Sequence, residues 1–140
     1  MITRLSPEES YELLRGRRVA RLGCIADGEP YVVPVNYAFD GESFFIHSLP
    51  GRKVAAMRAN PRVCLQVDDL RGEFGWRSVL AFGRYEELTR EPERERAMNL
   101  LLALFPTLTP VESFIADDAH APSPIVFRVR IERVTGLQES

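Results

Sequence analysis

The sequence predicts a mainly β domain, a small closed or partly closed antiparallel barrel with a few flanking helices. Three observations lead there. Two tight turn signals, Asp27-Gly28 and Asp40-Gly41, fall early and at hairpin spacing, which favours antiparallel pairing over βαβ units. Six segments rich in β-branched and aromatic residues leave room for only a few helices. The 140 residues are 45% hydrophobic and 27% charged, the profile of one globular domain (1–140) that can bury a single core.

Ser6-Pro7-Glu8-Glu9 opens a short helix ending near Gly16: Ser6 caps it, Pro7 takes the first helical position and Glu9 completes a capping box. Val19 to Ala26 reads as a strand, ended by Asp27-Gly28-Glu29-Pro30. Tyr31 to Phe39 is a second strand, apolar on both faces, and Asp40-Gly41 turns it into its partner, Glu42 to Ser48. Leu49-Pro50-Gly51 breaks that strand; Arg52 to Asn60 has helix composition, and Pro61 ends the helix. Arg62 to Val67 is a strand, followed by a polar loop with Gly72 and Gly75. Arg77 to Leu88 is a long strand in which Gly83 marks a bulge. Pro92 opens a helix through Phe105 with Ala97, Leu100, Leu101 and Leu104 on one side. Thr109-Pro110-Val111-Glu112 is a second capping-box signature and places one short helix in the linker that follows. Ile125 to Val134 alternates, with Phe127, Val129 and Ile131 inward and Arg128, Arg130 and Glu132 outward, so this last strand is half exposed.

Charge and composition narrow the functional classes. The net charge of −2, from 18 basic and 20 acidic residues, argues against a protein that binds nucleic acid by counterion release. The longest apolar run, Leu100 to Phe105, is too short to span a bilayer, and the first residues lack the apolar core of a secretion signal. Cys24 and Cys64 stand in unlike contexts, neither a disulfide framework nor a metal knuckle, which points to a reducing cytoplasm. Neither His47 nor His120 has a partner at metal-ligand spacing, so no metal is expected. Phosphate loop, dinucleotide fingerprint and nucleophile elbow are all missing, so any enzymatic chemistry would rest on a borrowed cofactor.

Where, then, could a cofactor sit? Lys53 is the only lysine among the 18 basic residues. It lies in Phe44-Phe45-Ile46-His47-Ser48-Leu49-Pro50-Gly51-Arg52-Lys53, where a strand passes through a glycine turn into a helix that begins with two cations. Cations there oppose the helix dipole unless an anion occupies the site. Free N–H groups, an arginine fork and a lysine charge could converge on a phosphate, with Gly51 allowing close approach; two solvated basic residues are the plainer alternative. In Tyr31-Val32-Val33-Pro34-Val35-Asn36-Tyr37, Pro34 removes a ladder donor and favours an edge or a bulge. Asn36 sets an amide among apolar residues, suited to a heterocycle edge or to a structural hydrogen bond. Trp76-Arg77-Ser78 opens the long strand after a glycine loop, with Trp76 either a packing residue or a cofactor platform.

Taken in order, Tyr31-Val-Val-Pro-Val-Asn36, Phe45-Ile-His-Ser48, Gly51-Arg-Lys53, Asn60-Pro-Arg-Val63 and Trp76-Arg-Ser-Val79 with Gly83 resemble the pyridoxamine 5′-phosphate oxidase-like FMN-binding split barrels. Within that group the resemblance is closest to the nitroimidazole-resistance branch, and it is strongest over residues 15–90. It implies a six-stranded antiparallel split barrel of Greek-key type that forms a homodimer with FMN at the subunit interface. Val33, Pro34, Val35 and Asn36 would run along the flavin, and Ile46, His47 and Ser48 would line its ring and ribityl chain. Gly51, Arg52 and Lys53 would hold the phosphate, while Trp76, Arg77 and Ser78 would reach the cofactor of the other subunit. His47 resembles a histidine that faces the flavin in the nitroimidazole-resistance branch, where an imidazole could orient a substrate or donate a proton; a structural histidine is the alternative.

One departure bears on substrate. The oxidase proper ends in Arg-x-His and a tryptophan that grip the vitamin phosphate, whereas this chain ends Phe127-Arg-Val-Arg-Ile-Glu-Arg-Val-Thr-Gly-Leu-Gln-Glu-Ser140. The expectation is therefore an FMN-dependent oxidoreductase that passes electrons from NAD(P)H to a small oxidised or nitro compound. A non-catalytic flavin or haem binder and a deazaflavin-dependent reductase are the alternatives. His120, in a proline-rich linker, is expected at the surface.

Overall fold

The computed structural model describes residues 1–106 and 123–140. In chain order the elements are β1 (Ile2–Arg4), α1 (Pro7–Gly16), β2 (Val19–Ala26), β3 (Glu29–Asn36), β4 (Ala38–Phe39), β5 (Ser43–Ser48), α2 (Arg52–Ala59), β6 (Arg62–Leu70), β7 (Trp76–Glu87), α3 (Glu93–Leu104) and β8 (Ile125–Glu139). The capping box at Ser6 forms as expected, with Ser6 Oγ accepting from the Glu9 N–H and Glu9 Oε1 from the Ser6 N–H.

All strands join one antiparallel sheet in the order β3-β2-β6-β7-β8-β5-β4, with β1 beside β8. Its two ends, β3 and β4, are consecutive in the chain and separated only by Tyr37. A sheet whose first and last strands are joined by one residue must curl, and this one curls into a split barrel. Tyr37 is fully buried at the joint. Its N–H donates to the Arg18 carbonyl (3.0 Å), and its hydroxyl donates to the Leu14 carbonyl (2.6 Å). Leu14 lies in the last turn of α1, where carbonyls lack helical partners, so the phenol satisfies an acceptor that would otherwise be stranded. Burial pushes the phenol's ionisation upward, which keeps it a donor.

The barrel interior holds Leu14, Leu22, Phe44, Ile46, Leu65, Val67 and Phe127, with Val54 and Met57 of α2 packed against it. A second cluster lies under α3, where Ala97 and Leu101 cover Phe45, Ala38 and Val126 on the other side of β4 and β5. The bulge expected at Gly83 is present: the β7–β8 register shifts between Phe82 and Gly83. A Cβ at Gly83 would run into the Arg130 carbonyl, so only glycine fits.

The six expected strands all form, and two short ones join them. The strand read as Tyr31 to Phe39 starts at Glu29 and is interrupted at Tyr37, whose inward turn ends β3 and starts β4. β6 runs on to Leu70 and β8 to Glu139, because each pairs with β7 along that length. The Thr109 capping signature and His120 lie outside the described residues.

Tyr37→Phe keeps the ring and removes the hydroxyl. It is expected to destabilise the fold by about 1–3 kcal/mol, the range for stranding a buried acceptor, with little change in urea m-value. Urea unfolding followed by circular dichroism measures it.

Candidate functional site

The region of interest is the end of the barrel where β2 turns into β3 and β5 runs into α2. The β2–β3 turn is Asp27-Gly28, both with positive φ (53° and 78°), the geometry of a tight hairpin. It fixes the register Cys24↔Tyr31. Cys24 is buried and Tyr31 half-buried, both on the inner side of the sheet.

α2 begins beside them. Its N-cap, Gly51, supplies no side-chain cap, and its first turn contains no acid. The helix thus starts without a side-chain cap, at Arg52 and Lys53. A Cβ at Gly51 would meet open space, and its φ of −178° is accessible to any residue, so the backbone does not demand glycine here. The Arg52 guanidinium lies over the Tyr31 ring, 5.0 Å from its centroid. Burial raises the Cys24 thiol pKa, while the charges of Lys53 and Arg52 act in the other direction. At the far end of α2, Arg58 grips Glu87 with Nε (2.9 Å) and Nη2 (3.2 Å), and the Tyr85 hydroxyl donates to the same carboxylate (2.5 Å).

β5 delivers its three residues in different directions. Ile46 belongs to the barrel core, whereas half-buried His47 faces the opposite side, the side of Phe45. Ser48 is buried, and its hydroxyl donates to the Leu49 carbonyl (2.9 Å). On β3, Val33 and Val35 turn inward while Pro34 and Asn36 are exposed. β3 is an edge strand, as Pro34 suggested. The expectation that Asn36 sits among apolar groups fails, because strand alternation turns it to solvent.

Trp76, Arg77 and Ser78 lie elsewhere. Ser78 is on the outer face, where its Oγ and the Asp68 carboxylate both accept from Gln66 Nε2 (3.0 Å each) and Arg21 donates to Asp68 (2.8 Å). Trp76 shares that face, while Arg77 alternates to the other, on the side of Glu9 in α1. Leu80, Gln66 and Arg21 are level across β7, β6 and β2, so Ser78 is five residues along the strands from Cys24, about 17 Å, and on the opposite face. A single chain does not bring Ser78 to its own Arg52.

Sequence reading missed two features. One is Tyr31 under Arg52, which depends on a contact between β3 and α2. The other is the outer face itself. Val19, Ile25, Val32, Leu80 and Leu137 are exposed there, and a cavity of about 580 Å³ opens between Gly23, Ile25, Val32, Cys64, Phe82 and Arg133. The apolar residues on both faces of the second strand were the available signal. Among the described residues no group of His, Cys, Asp and Glu could hold a metal ion, and no helix is long and apolar enough to cross a membrane.

A family model described as pyridoxamine 5′-phosphate oxidase matches residues 6–138. An uncharacterized protein of Rhizobium meliloti is 40% identical over 84 residues, which span 60% of this chain and 56% of that protein. The fold is similar to that of an FAD-binding protein from Mesorhizobium loti, with TM-score 0.79 and 37% identity over 100% of this chain and 98% of that one. It is also similar to a Bacteroides thetaiotaomicron protein assigned to 5-nitroimidazole antibiotic resistance, with TM-score 0.75 and 18% identity over 99% of this chain and 87% of that one. At that identity the second likeness is one of fold.

The hydrogen bond from Arg58, then that from Tyr85, holds the Glu87 carboxyl below its ordinary value of 4.5. A lowered folded-state pKa contributes stability above the unfolded value and loses it as pH falls through the folded one. Glu87→Gln is therefore expected to be less stable than wild type at pH 7, with the difference shrinking as the pH falls below the ordinary value of 4.5. A series of urea melts from pH 7 downward checks this.

Proposed function

Because the chain belongs to the pyridoxamine 5′-phosphate oxidase family, we propose that it is an FMN-dependent oxidoreductase that works as a homodimer. The observation that carries the reading is the start of α2: no side-chain cap, no acid in the first turn, and Arg52 and Lys53 side by side. That donor set fits a phosphate monoester, for which an arginine fork, a lysine charge and a helix N-terminus are complementary. The FAD-binding function of the Mesorhizobium loti protein supports a flavin as the group attached to that phosphate.

In this reading Gly51, Arg52 and Lys53 hold the phosphate. Val33, Pro34, Val35 and Asn36 flank the ring from the sheet edge through main-chain groups, and Ile46, His47 and Ser48 border it from β5. Bound flavin supplies a two-electron relay between NAD(P)H and a small oxidised or nitro compound. His47 orients that compound or gives it a proton.

The homodimer reading rests on the sheet. Trp76 and Ser78 face outward, separated by the sheet from the chain's own α2, and the same outer face exposes Val32 (64%) and Leu137 (44%). A second copy packed on this face would bury those residues, and Trp76 and Ser78 of the partner subunit would reach the flavin only past the β3 edge. Arg77 would reach it only around the end of the sheet.

Lys53→Ala is expected to weaken FMN by about 2–4 kcal/mol, roughly 30- to 700-fold, and riboflavin much less. Fluorescence titration of both flavins tests this, and equal losses would remove the phosphate from this position. Light scattering is expected to give twice the chain mass, and Leu80→Asp to give the single-chain mass with weakened FMN. Flavin binding without NADH or NADPH oxidation in the presence of a nitroaromatic acceptor would make the protein a non-catalytic flavin binder. A Soret band in the purified protein would make it a haem binder.

A further inference from the structure

Resting on the phosphate reading, we propose that Tyr31 is a positioning residue that holds the Arg52 guanidinium ready for the flavin phosphate. Arginine loses much side-chain freedom when it is fixed by a ligand, so an arginine already held in place binds more tightly. Two kinds of neighbour could hold it. A carboxylate would do so through the same in-plane N–H groups that a phosphate needs, and would cancel the charge. An aromatic ring does so through the flat face of the guanidinium, leaving the in-plane donors and the charge available.

The structure sets a ring, and no carboxylate among the described residues, beside Arg52. Arg52 lies 5.0 Å from the Tyr31 centroid, and no carboxylate among the described residues forms an ion pair with it. The ring itself is well fixed. Tyr31 follows the tight Asp27-Gly28 turn, pairs with Cys24 across the ladder, and packs its inner side on the barrel core. Val54 and Met57, both fully buried, fix the helix that carries Arg52. The two halves of the contact therefore sit on rigid elements, and the flexible part is the arginine stem alone. Because the interaction uses the ring and not the hydroxyl, phenylalanine can replace tyrosine.

The test is a fluorescence titration of FMN and riboflavin into wild type, Tyr31→Leu, Tyr31→Phe, Arg52→Ala and Lys53→Ala. Tyr31→Leu is expected to weaken FMN by about 3- to 30-fold, with riboflavin changed less than about twofold, and Tyr31→Phe to restore wild-type selectivity. In the Arg52→Ala background, Tyr31→Leu is expected to add nothing, since the ring acts through the arginine. If Tyr31→Leu does not fold, Tyr31→Met replaces it with a side chain of comparable reach. Unchanged FMN affinity in Tyr31→Leu, with selective loss in Lys53→Ala, overturns the role of Tyr31 and leaves the phosphate reading standing. Equal losses of FMN and riboflavin in Tyr31→Leu make the residue a contact for the ring or a packing residue, which also overturns it. If Lys53→Ala itself fails to separate FMN from riboflavin, the phosphate reading falls and this inference falls with it.

Discussion

Tyr37 holds the two ends of the sheet together. It is the one residue between β3 and β4, which lie at opposite ends of the strand order, so its position sets the curl of everything between them. Three contacts fix it: its N–H to Arg18, its hydroxyl to Leu14, and its ring edge-on to Phe44 at 5.0 Å. Two of these reach α1 or the residues just after it, so the helix end and the barrel seam are locked by the same side chain. Two consequences follow for the site. β3 is left as an edge strand with one long side uncovered by any strand among the described residues, and β5 is brought close enough to β3 that α2 starts beside the β2–β3 hairpin.

The sheet then acts as a partition. Its inner side at one end carries Cys24, Tyr31 and the start of α2; its outer side, nearer the other end, carries Ser78 and the Arg21–Asp68–Gln66 network. A ligand that needed both sets would have to be shared between two copies. Covering the exposed apolar residues of the outer face would contribute about 1.5–3 kcal/mol each when complete. The Gln66–Ser78–Asp68 hydrogen bonds leave that face with paired polar groups, which can be covered without stranding donors.

How legible was this in the sequence? Local features read well, because they are set by residues close together. The capping box at Ser6, the turns at Asp27-Gly28 and Asp40-Gly41 and the Gly83 bulge each depend on a few neighbouring side chains or on one glycine. Boundaries that depend on distant pairing did not read. β1 is three residues long and exists because β8 runs past its expected end to meet it, Ile2 opposite Glu139. Tyr37 looks like one more strand aromatic, and its inward turn reflects the barrel's closure. At the site, the basic pair at the α2 start was visible as a break with dipole preference, but Tyr31 was not, since nothing in a linear string says which strand end lies under Arg52. Asn36 misled for the opposite reason: apolar sequence neighbours do not bury a residue that alternation turns outward.

The start of α2 shows how the fold carries an arrangement that local preference opposes. Two cations near a helix N-terminus are unfavourable by about 0.3–1 kcal/mol each. A missing N-cap side chain removes roughly another 0.5–2 kcal/mol relative to serine or aspartate, although glycine recovers most of that difference. Against this, the complete burial of Val54 and Met57 contributes about 3–6 kcal/mol together. Packing therefore outweighs the end effects, and α2 forms with or without an anion. At the opposite end Arg58 is favourably placed for the dipole and tied to Glu87, so the helix is fastened where its electrostatics are good and left open where they are poor. A helix held mainly by its apolar face can keep its N-terminus without a side-chain cap and cationic.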